Sequence, residues 1–266
     1  MKFGVNVWSF PKSVDVVEAM KASKRIGYDG FEPALTQDHL QMDQGDFDAY
    51  WKRIKEEAAS IGIEIPSVAT GLFWRFNPLS DPEGAMKVAN LLCRAAHIVE
   101  AKVVLVVPGT ARSDWSLAQC LERAAKFLKD VGKIAMDVGV IVGVENVWNR
   151  MLGSPIEMKR LLDEVAMDNV KLYLDVGNTL PHSLPEHWID ELGIDRIAQI
   201  HVKDFSVAEL RFGIPLTGDV NWVAIRDRLQ KHGYGGYLVA EVPPYRGHPF
   251  KAAMDALTSL KEVFGG

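Results

Sequence analysis

The chain has 266 residues, of which 48% are apolar, 24% charged and 9% aromatic, and its formal net charge is −5. This composition is too apolar for a disordered protein and too mixed in charge for a low-complexity tail. The excess of 35 acidic over 30 basic residues argues against a nucleic-acid partner, which usually requires a basic face. The length fits a single domain over residues 1–266, since an α/β barrel takes about 250 residues.

The cysteines and the apolar runs give expectations about location. Cys93 and Cys120 both lie in helix-like stretches, so we expect no disulfide framework and a reducing, cytoplasmic location. No apolar run approaches the roughly 18 residues of a membrane span, so we expect no membrane partner. The first residues enter a strand pattern directly, without the charged leader of a signal peptide.

Short apolar or β-branched runs alternate with amphipathic segments along the chain. The runs predict strands over residues 3–8, 30–33, 63–69, 102–107, 141–145, 171–175, 197–201 and 237–241. The amphipathic segments predict helices over residues 14–26, 47–61, 83–100, 116–137, 155–166, 186–192, 221–232 and 250–263. Eight strands alternating with eight helices favour a (β/α)8 TIM barrel. The alternative is an open doubly wound sheet, which usually has a glycine-rich phosphate turn after its first strand, unlike residues 7–11 here.

The last four predicted strands each end in a side chain that can bind a metal: Glu145, Asp175, His201 and Glu241. Singly, such a carboxylate often caps a helix or forms a salt bridge, and such a histidine is often a hydrogen-bonded core residue. Together, three carboxylates at one barrel mouth repel one another unless a cation or shared protons hold them. Three oxygen ligands and one nitrogen ligand suit Mn²⁺, Mg²⁺, Co²⁺ or Zn²⁺, and the oxygen-rich set favours the harder ions.

Several segments resemble a known family. They are Gly-Val-Glu-Asn at 143–146, Tyr-Leu-Asp-Val-Gly-Asn at 173–178, Ile-His-Val-Lys-Asp at 200–204 and Gly-Gly-Tyr-Leu-Val-Ala-Glu-Val at 235–242. Residues 27–32 and 218–222 fit the same pattern. On these motifs the chain resembles the xylose isomerase-like TIM-barrel superfamily, and within it the sugar isomerases and epimerases related to ketose 3-epimerases.

The resemblance implies a function and a ligand set. It implies one catalytic divalent ion, most often Mn²⁺, held by Glu145, Asp175, His201 and Glu241, with Glu145 and Glu241 also acting as the acid/base pair. The expected reaction removes the proton next to the carbonyl of a ketose or ketose phosphate and passes through an enediolate, with 3-epimerisation favoured. Two departures disfavour a free ketohexose: Asn178 stands where ketose 3-epimerases commonly carry histidine, and residues 149–152 lack their substrate-binding glutamate.

Further residues are candidates for binding the sugar or sugar phosphate, each with a structural alternative. Lys203 could contact a substrate oxygen or form a salt bridge to Asp204 or Glu241. Arginines in loops could bind an anionic end or be solvated, and aromatic rings near strand ends could stack on a sugar or pack in the core. The candidates are Lys203, Asn178, Glu32, Trp8, Trp115, Arg211 and Arg246.

Other functions stay open. A lyase such as an inosose-type dehydratase would use the same proton abstraction and then expel a hydroxyl group, and a hydroxypyruvate isomerase-like enzyme is a further alternative. Abasic-site endonucleases share the superfamily but need additional histidines for a trinuclear zinc cluster. A barrel that binds sugar without catalysis is the most distant alternative. Trp51 and Trp188, if exposed, would suit a homodimer or tetramer.

Overall fold

The computed structural model describes residues 1–265. The strands are β1 Lys2–Asn6, β2 Gly30–Glu32, β3 Ala34–Leu35, β4 Ser67–Thr70, β5 Val103–Val106, β6 Ile141–Glu145, β7 Val170–Asp175, β8 Ile197–Val202, β9 Asp204–Ser206, β10 Arg211–Gly213 and β11 Tyr237–Ala240. Neighbouring strands of the parallel sheet follow the order β2-β1-β11-β8-β7-β6-β5-β4-β3. β2 pairs with β1 and β3 pairs with β4. β2 and β3 are two pieces of one barrel strand, which is interrupted at Pro33 because proline has no N–H for the ladder. The sheet thereby closes into a barrel.

The helices cover the outside of the barrel. They are α1 Val16–Ile26, α2 Gln44–Ile61, α3 Pro82–Ile98, α4 Leu117–Asp137, α5 Pro155–Val165, α6 Val176–Thr179, α7 Pro185–Leu192, α8 Trp222–Lys231 and α9 Lys251–Phe264. All eight predicted helices are present, and the short α6 is additional. Local signals explain the ends: Ser154 forms a capping box with Glu157 at α5, and Gly27 ends α1 with a φ of 107°. The predicted TIM barrel is confirmed.

Three details differ from the prediction. The third strand begins at Ser67 because Pro66 precedes it, and only Glu64 of the earlier predicted residues forms a bridge, to Gly30. The antiparallel pair β9–β10 was not predicted. Trp51 and Trp188 are 0% and 1% exposed, so the expectation that they offer an exposed oligomer surface is wrong.

One buried carboxylate organises the segment after β8. Asp204 is fully buried, and it accepts hydrogen bonds from the backbone N–H groups of Leu216 (2.9 Å) and Val220 (3.1 Å) and from the indole N–H of Trp222 (2.8 Å). These bonds fix the loop that contains the β9–β10 pair against the barrel, because each satisfies a group that would be costly to bury alone. Phe212 on β10 thereby reaches the barrel mouth. Within residues 1–265, no helix is long and apolar enough to cross a membrane.

Candidate metal centre and active site

Four side chains lie close together at the carboxyl ends of β6, β7, β8 and β11. Glu145 ends β6, Asp175 ends β7, His201 lies in β8 and Glu241 directly follows β11. Each offers one ligand atom, and these four atoms lie within 4.8 Å of one another. Because neighbouring parallel strands place Asp175 opposite His201, the cluster follows directly from the barrel's register.

His201 has an unpartnered nitrogen that faces the three carboxylates. Its Nδ1 is buried without a hydrogen-bond partner among the described residues. Nδ1 lies 3.6 Å from Glu145 Oε1, 3.7 Å from Glu241 Oε2 and 4.0 Å from Asp175 Oδ2. These separations are too long for hydrogen bonds but close to the roughly 3–3.5 Å between atoms that ligate one ion at about 2.1 Å. The residues therefore fit a divalent cation.

Glu32 fixes the orientation of the His201 ring from the other side. Its Oε2 lies 2.7 Å from Nε2 of His201 and also accepts from Asn6. Its Oε1 accepts from the hydroxyls of Ser67 (2.5 Å) and Tyr173 (2.7 Å). A carboxylate that receives the N–H of one ring nitrogen directs the other nitrogen towards a metal.

Charge interactions distinguish Glu32 from an ordinary buried acid. Burial acts to raise the pKa of the Glu32 carboxyl, but the charge and hydrogen bond of His201 lower it below its usual value. Burial lowers the pKa of His201, yet Glu32 and the cluster carboxylates raise it well above the usual value. A cation on Nδ1 would compete with that proton, so metal binding is expected to release a proton.

Lys203 lies beside the cluster and forms ion pairs with two of its carboxylates. Its Nζ is 2.7 Å from Asp175 Oδ2 and in contact with Glu241 Oε2. Burial acts to lower the pKa of the Lys203 ammonium, but Asp175, Glu241 and Glu145 raise it, so the ammonium stays charged. Of the two salt bridges that the sequence offered for Lys203, the one with Glu241 is observed. Asp204 instead accepts hydrogen bonds from the loop that contains the β9–β10 pair.

The two glutamates differ in their proton affinity. Burial, with the negative charges of Glu241 and Asp175, raises the pKa of Glu145 to about 7. Burial also acts to raise the pKa of Glu241, but the charges of Lys203 and His201 lower it. Two carboxyl groups whose environments push their pKa values apart are suited to different roles in proton transfer.

Asn178 and Asn146 hold the end of β7. Asn178 N–H donates to Oδ1 of Asp175 (2.9 Å), which caps α6 and leaves Oδ2 facing the cluster. The Asn178 amide donates to the backbone oxygen of Asn146 (3.0 Å), and Asn146 exchanges two hydrogen bonds with the Asp175 backbone. Asp175 is therefore fixed on both sides.

A cavity of about 380 Å³ opens above the cluster at the barrel mouth. Its volume is within the range of small-molecule sites. Its wall combines aromatic rings with the glutamates of the cluster. It is lined by Trp8, Thr70, Gly71, Trp74, Val107, Glu145, Val147, Trp148, Asn178, Lys203, Phe212 and Glu241.

Four of the seven additional sequence candidates lie at or next to this site, and three of the four line the cavity. Trp8, Asn178 and Lys203 line the cavity. Glu32 does not: it is fully buried, and both its oxygens have protein partners. Its place is behind His201, because β2 directs the side chain into the barrel interior.

Trp115, Arg211 and Arg246 lie outside the cavity lining, contrary to expectation. Trp115 is held by the guanidinium groups of two neighbouring arginines, at 4.2 and 5.0 Å from its ring. Arg211 pairs with Glu209 at 2.6 Å in solvent, and Arg246 is exposed. Position in a loop after a strand therefore did not predict whether a side chain lines the cavity.

Three rings of the cavity wall are absent from the sequence candidates: Trp74, Trp148 and Phe212. Trp148 follows Glu145 by three residues, and this closeness to a strand-end carboxylate was a signal that could have identified it. Phe212 belongs to the unpredicted β9–β10 pair, and its three-residue strand gives no comparable signal.

Comparison with known proteins agrees with this architecture. Residues 20–263 match the model of a family described as xylose isomerase-like TIM barrel. An uncharacterized protein of Methanocaldococcus jannaschii is 24% identical over 91% of this chain and 83% of its own length. An inosose dehydratase of Glaesserella parasuis is 26% identical, but the match spans only 54% of this chain and 55% of that protein.

Solved structures share the whole fold at low sequence identity. A D-tagatose 3-epimerase-like protein superimposes with a TM-score of 0.81 at 20% identity, covering 100% of this chain and 97% of the other. The IOLI protein, solved with a bound zinc atom, gives a TM-score of 0.82 at 16% identity, covering 100% and 98%. The fold, together with the match over residues 20–263, establishes that the chain belongs to the xylose isomerase-like TIM-barrel family.

Proposed function

We propose that the protein is a divalent-metal-dependent isomerase or epimerase of a ketose or a related ketone, with 3-epimerisation as the favoured reaction. One observation carries the proposal: an unpartnered, buried histidine nitrogen faces three carboxylates, two of which also line an open cavity. This arrangement supports both ion binding and proton transfer at a single site.

Glu145, Asp175, His201 and Glu241 are the proposed ligands of one ion. The bound ion would act as a Lewis acid and stabilise the negative charge that develops on the ketone oxygen and its neighbour. Mn²⁺ is the first choice because the ligand set is rich in oxygen, and Co²⁺, Mg²⁺ and Zn²⁺ suit the same ligands. The zinc atom of the similar IOLI structure makes Zn²⁺ the first alternative to test.

Glu145 and Glu241 are the proposed acid/base pair. One carboxylate takes the proton from the carbon next to the ketone, which leaves an enediolate. The other group returns a proton to the opposite face of the same carbon, which inverts it, or to the adjacent carbon, which isomerises the sugar. A pKa of about 7 keeps Glu145 close to the range in which proton transfer in both directions is efficient.

Lys203 and Asn178 have supporting roles in this proposal. The ammonium group of Lys203 holds the carboxylate of Glu241 in place and offers a proton donor to a substrate oxygen near the cavity wall. The Asn178 amide is already bonded to the Asn146 backbone, so its contribution is to shape the wall and not to relay protons.

A lyase is the second candidate, and the match to an inosose dehydratase favours it. The first step would be the same removal of a proton next to a ketone. The intermediate would then lose a hydroxyl group from the next carbon as water, with a proton supplied by the site. Lys203 and a protonated Glu145 are the groups available to supply that proton.

Proton exchange in D₂O distinguishes these reactions. The Mn²⁺-loaded protein would be incubated with ketohexoses, ketose phosphates, hydroxypyruvate and inosose and followed by NMR. Deuterium at carbon 3 with appearance of an epimer supports epimerisation, deuterium at carbon 1 or 2 with an aldose supports isomerisation, and loss of water supports the lyase. No exchange with any of these ketones, with Mn²⁺, Co²⁺, Mg²⁺ or Zn²⁺, contradicts the proposal.

A further inference from the structure

Four aromatic rings from separate segments surround the cavity mouth. We call this group the aromatic rim; its members are Trp8, Trp74, Trp148 and Phe212. The three tryptophans are 37%, 50% and 44% exposed, although large apolar side chains are usually buried. Exposed indole rings gathered at one cavity mouth point to a ligand surface.

Two rings of the rim, those of Trp148 and Phe212, are held in place, as in a preformed binding surface. The Trp148 indole N–H donates to the backbone oxygen of Asn178 at 2.9 Å. Its ring stacks on Phe212 with centroids 5.0 Å apart and a 28° angle between planes, and Phe205 packs edge-on at 5.5 Å. Rings held in this way lose little conformational entropy when a ligand binds.

The charges of the cavity wall oppose an anionic substrate. The described lining residues include two glutamates and one lysine, and that lysine is already paired with Asp175 and Glu241. Arg211 and Arg246, the loop arginines that the sequence offered for an anionic end, lie outside the lining, and Arg211 is paired with Glu209. A phosphate dianion needs free arginine, lysine or N–H donors, whereas here it would meet carboxylates.

We propose that the aromatic rim is a second sugar-binding subsite, and that the substrate is a neutral glycoside of at least two rings and not a sugar phosphate. One ring reacts at the carboxylates, and the apolar face of the second stacks on the exposed indoles of Trp74 and Trp148. The sugar ring carries C–H groups on such a face, which match the negative face of an indole. The identity of the reacting ring rests on the proposed function; the second subsite does not.

Calorimetric titration of the full-length, Mn²⁺-loaded protein tests the subsite. The probes are glucose, glucose 6-phosphate, cellobiose, maltose, trehalose and sucrose. We expect at least one disaccharide to bind about tenfold more tightly than glucose. A tenfold change in affinity corresponds to about 1.4 kcal/mol, which is in the upper part of what an aromatic contact supplies. We expect glucose 6-phosphate to bind no more tightly than glucose.

Rim variants identify the residues responsible. W74A and W148A should reduce the affinity for that disaccharide to the level of glucose. M136A, which removes a 57% exposed apolar side chain at the far end of α4, is the matched control and should have no effect. Near-ultraviolet circular dichroism of each variant checks that the fold is retained.

The results that would overturn the subsite are separate from those that would overturn the proposed function. Equal affinity for glucose and every disaccharide, tighter binding of glucose 6-phosphate, or unchanged disaccharide binding in both W74A and W148A would overturn the subsite. Disaccharide binding at the rim without proton exchange in any ketone would overturn only the proposed function.

Discussion

The two halves of the barrel place different chemistry at its carboxyl end. In the half built from β6, β7, β8 and β11, the strands end in the four candidate ligands. In the half built from β1 to β5, the corresponding polar groups bind other protein groups: the Thr70 hydroxyl donates to Leu35, and Glu32 accepts from His201. The second half is equipped to bind an ion, and the first half orients one of the proposed ligands.

The two halves also differ in whether their buried site residues have hydrogen-bond partners. Every carboxylate oxygen of Glu32 in the first half has a protein donor. In the second half, His201 Nδ1 has none within residues 1–265, and Oδ2 of Asp175 has only its ion pair with Lys203. Since buried polar groups are rarely left unpartnered, this difference favours the second half as the site of an ion.

The largest expected effect is that of removing a proton-transfer group from the binding half. E145Q keeps the side-chain shape but replaces the carboxylate by an amide, which cannot accept and return a proton. The rate of deuterium incorporation should fall by about 10²–10⁴-fold. NMR in D₂O measures it, with E262Q, an exposed carboxylate on α9, as the control. Exchange in E145Q within tenfold of the unmodified protein would contradict the assigned role.

The next effect is the stabilisation that a bound ion gives. At a Mn²⁺ concentration 100 times its Kd, the free energy of unfolding should rise by about 2.7 kcal/mol, which raises Tm by roughly 5–11 °C for a chain of this size. EDTA should reverse the shift. D175N keeps the Oδ1 cap of α6 but weakens the ligand, and most of the shift should disappear. A full shift in both D175N and E241Q would exclude this cluster as the binding site.

The first half should influence metal binding more weakly, through His201. E32Q replaces the carboxylate that holds Nε2, so the affinity for Mn²⁺ should fall by about 10–100-fold. Competition with a fluorescent chelator measures the affinity. S67A removes a donor from the other Glu32 oxygen and should have a smaller effect. Unchanged affinity in E32Q would show that the orientation of His201 does not depend on Glu32.

The smallest effect is a pH dependence of stability that arises in the first half, remote from the ligands. Burial among aromatic rings lowers the pKa of His39, although Asp38 acts to raise it, and Nδ1 of His39 accepts a backbone hydrogen bond from Thr36 at 2.9 Å. The unfolded chain therefore takes up this proton before the folded chain does. The contribution of neutral His39 is complete above about pH 6.5 and is lost as pH falls towards the lowered folded-state pKa.

Urea denaturation between pH 5 and pH 8 measures this contribution. The free energy of unfolding should fall less steeply below about pH 6.5 in H39N than in the unmodified protein. Identical pH profiles would show that protonation of His39 does not affect folding.

The sequence predicted the repeating elements better than the details of the mouth. Strand–helix alternation and caps such as Ser154 are local signals, so the helices and most strands could be located. The cluster of four side chains could be anticipated because equivalent strand ends meet at one end of a barrel. Which way a side chain turns depends on contacts far away in the chain. Glu32 illustrates this, since its partner His201 is 169 residues away.

Loop side chains could not be located either. Trp115 and Arg211 follow strands, as catalytic residues do, but they contact charged groups close to them in the chain and do not line the cavity. Phe212 reaches the mouth only because Asp204 fixes the loop around it through distant backbone and indole donors. The position of Phe212 therefore has no local sequence signal.

The most direct test of the division between the halves is a crystal structure of the protein soaked in Mn²⁺, with anomalous diffraction to locate the ion. The account predicts a single strong peak bounded by Glu145, Asp175, Glu241 and Nδ1 of His201, with Nε2 of His201 still bonded to Glu32. A peak held by other residues, or a His201 ring that binds the ion through Nε2, would contradict it.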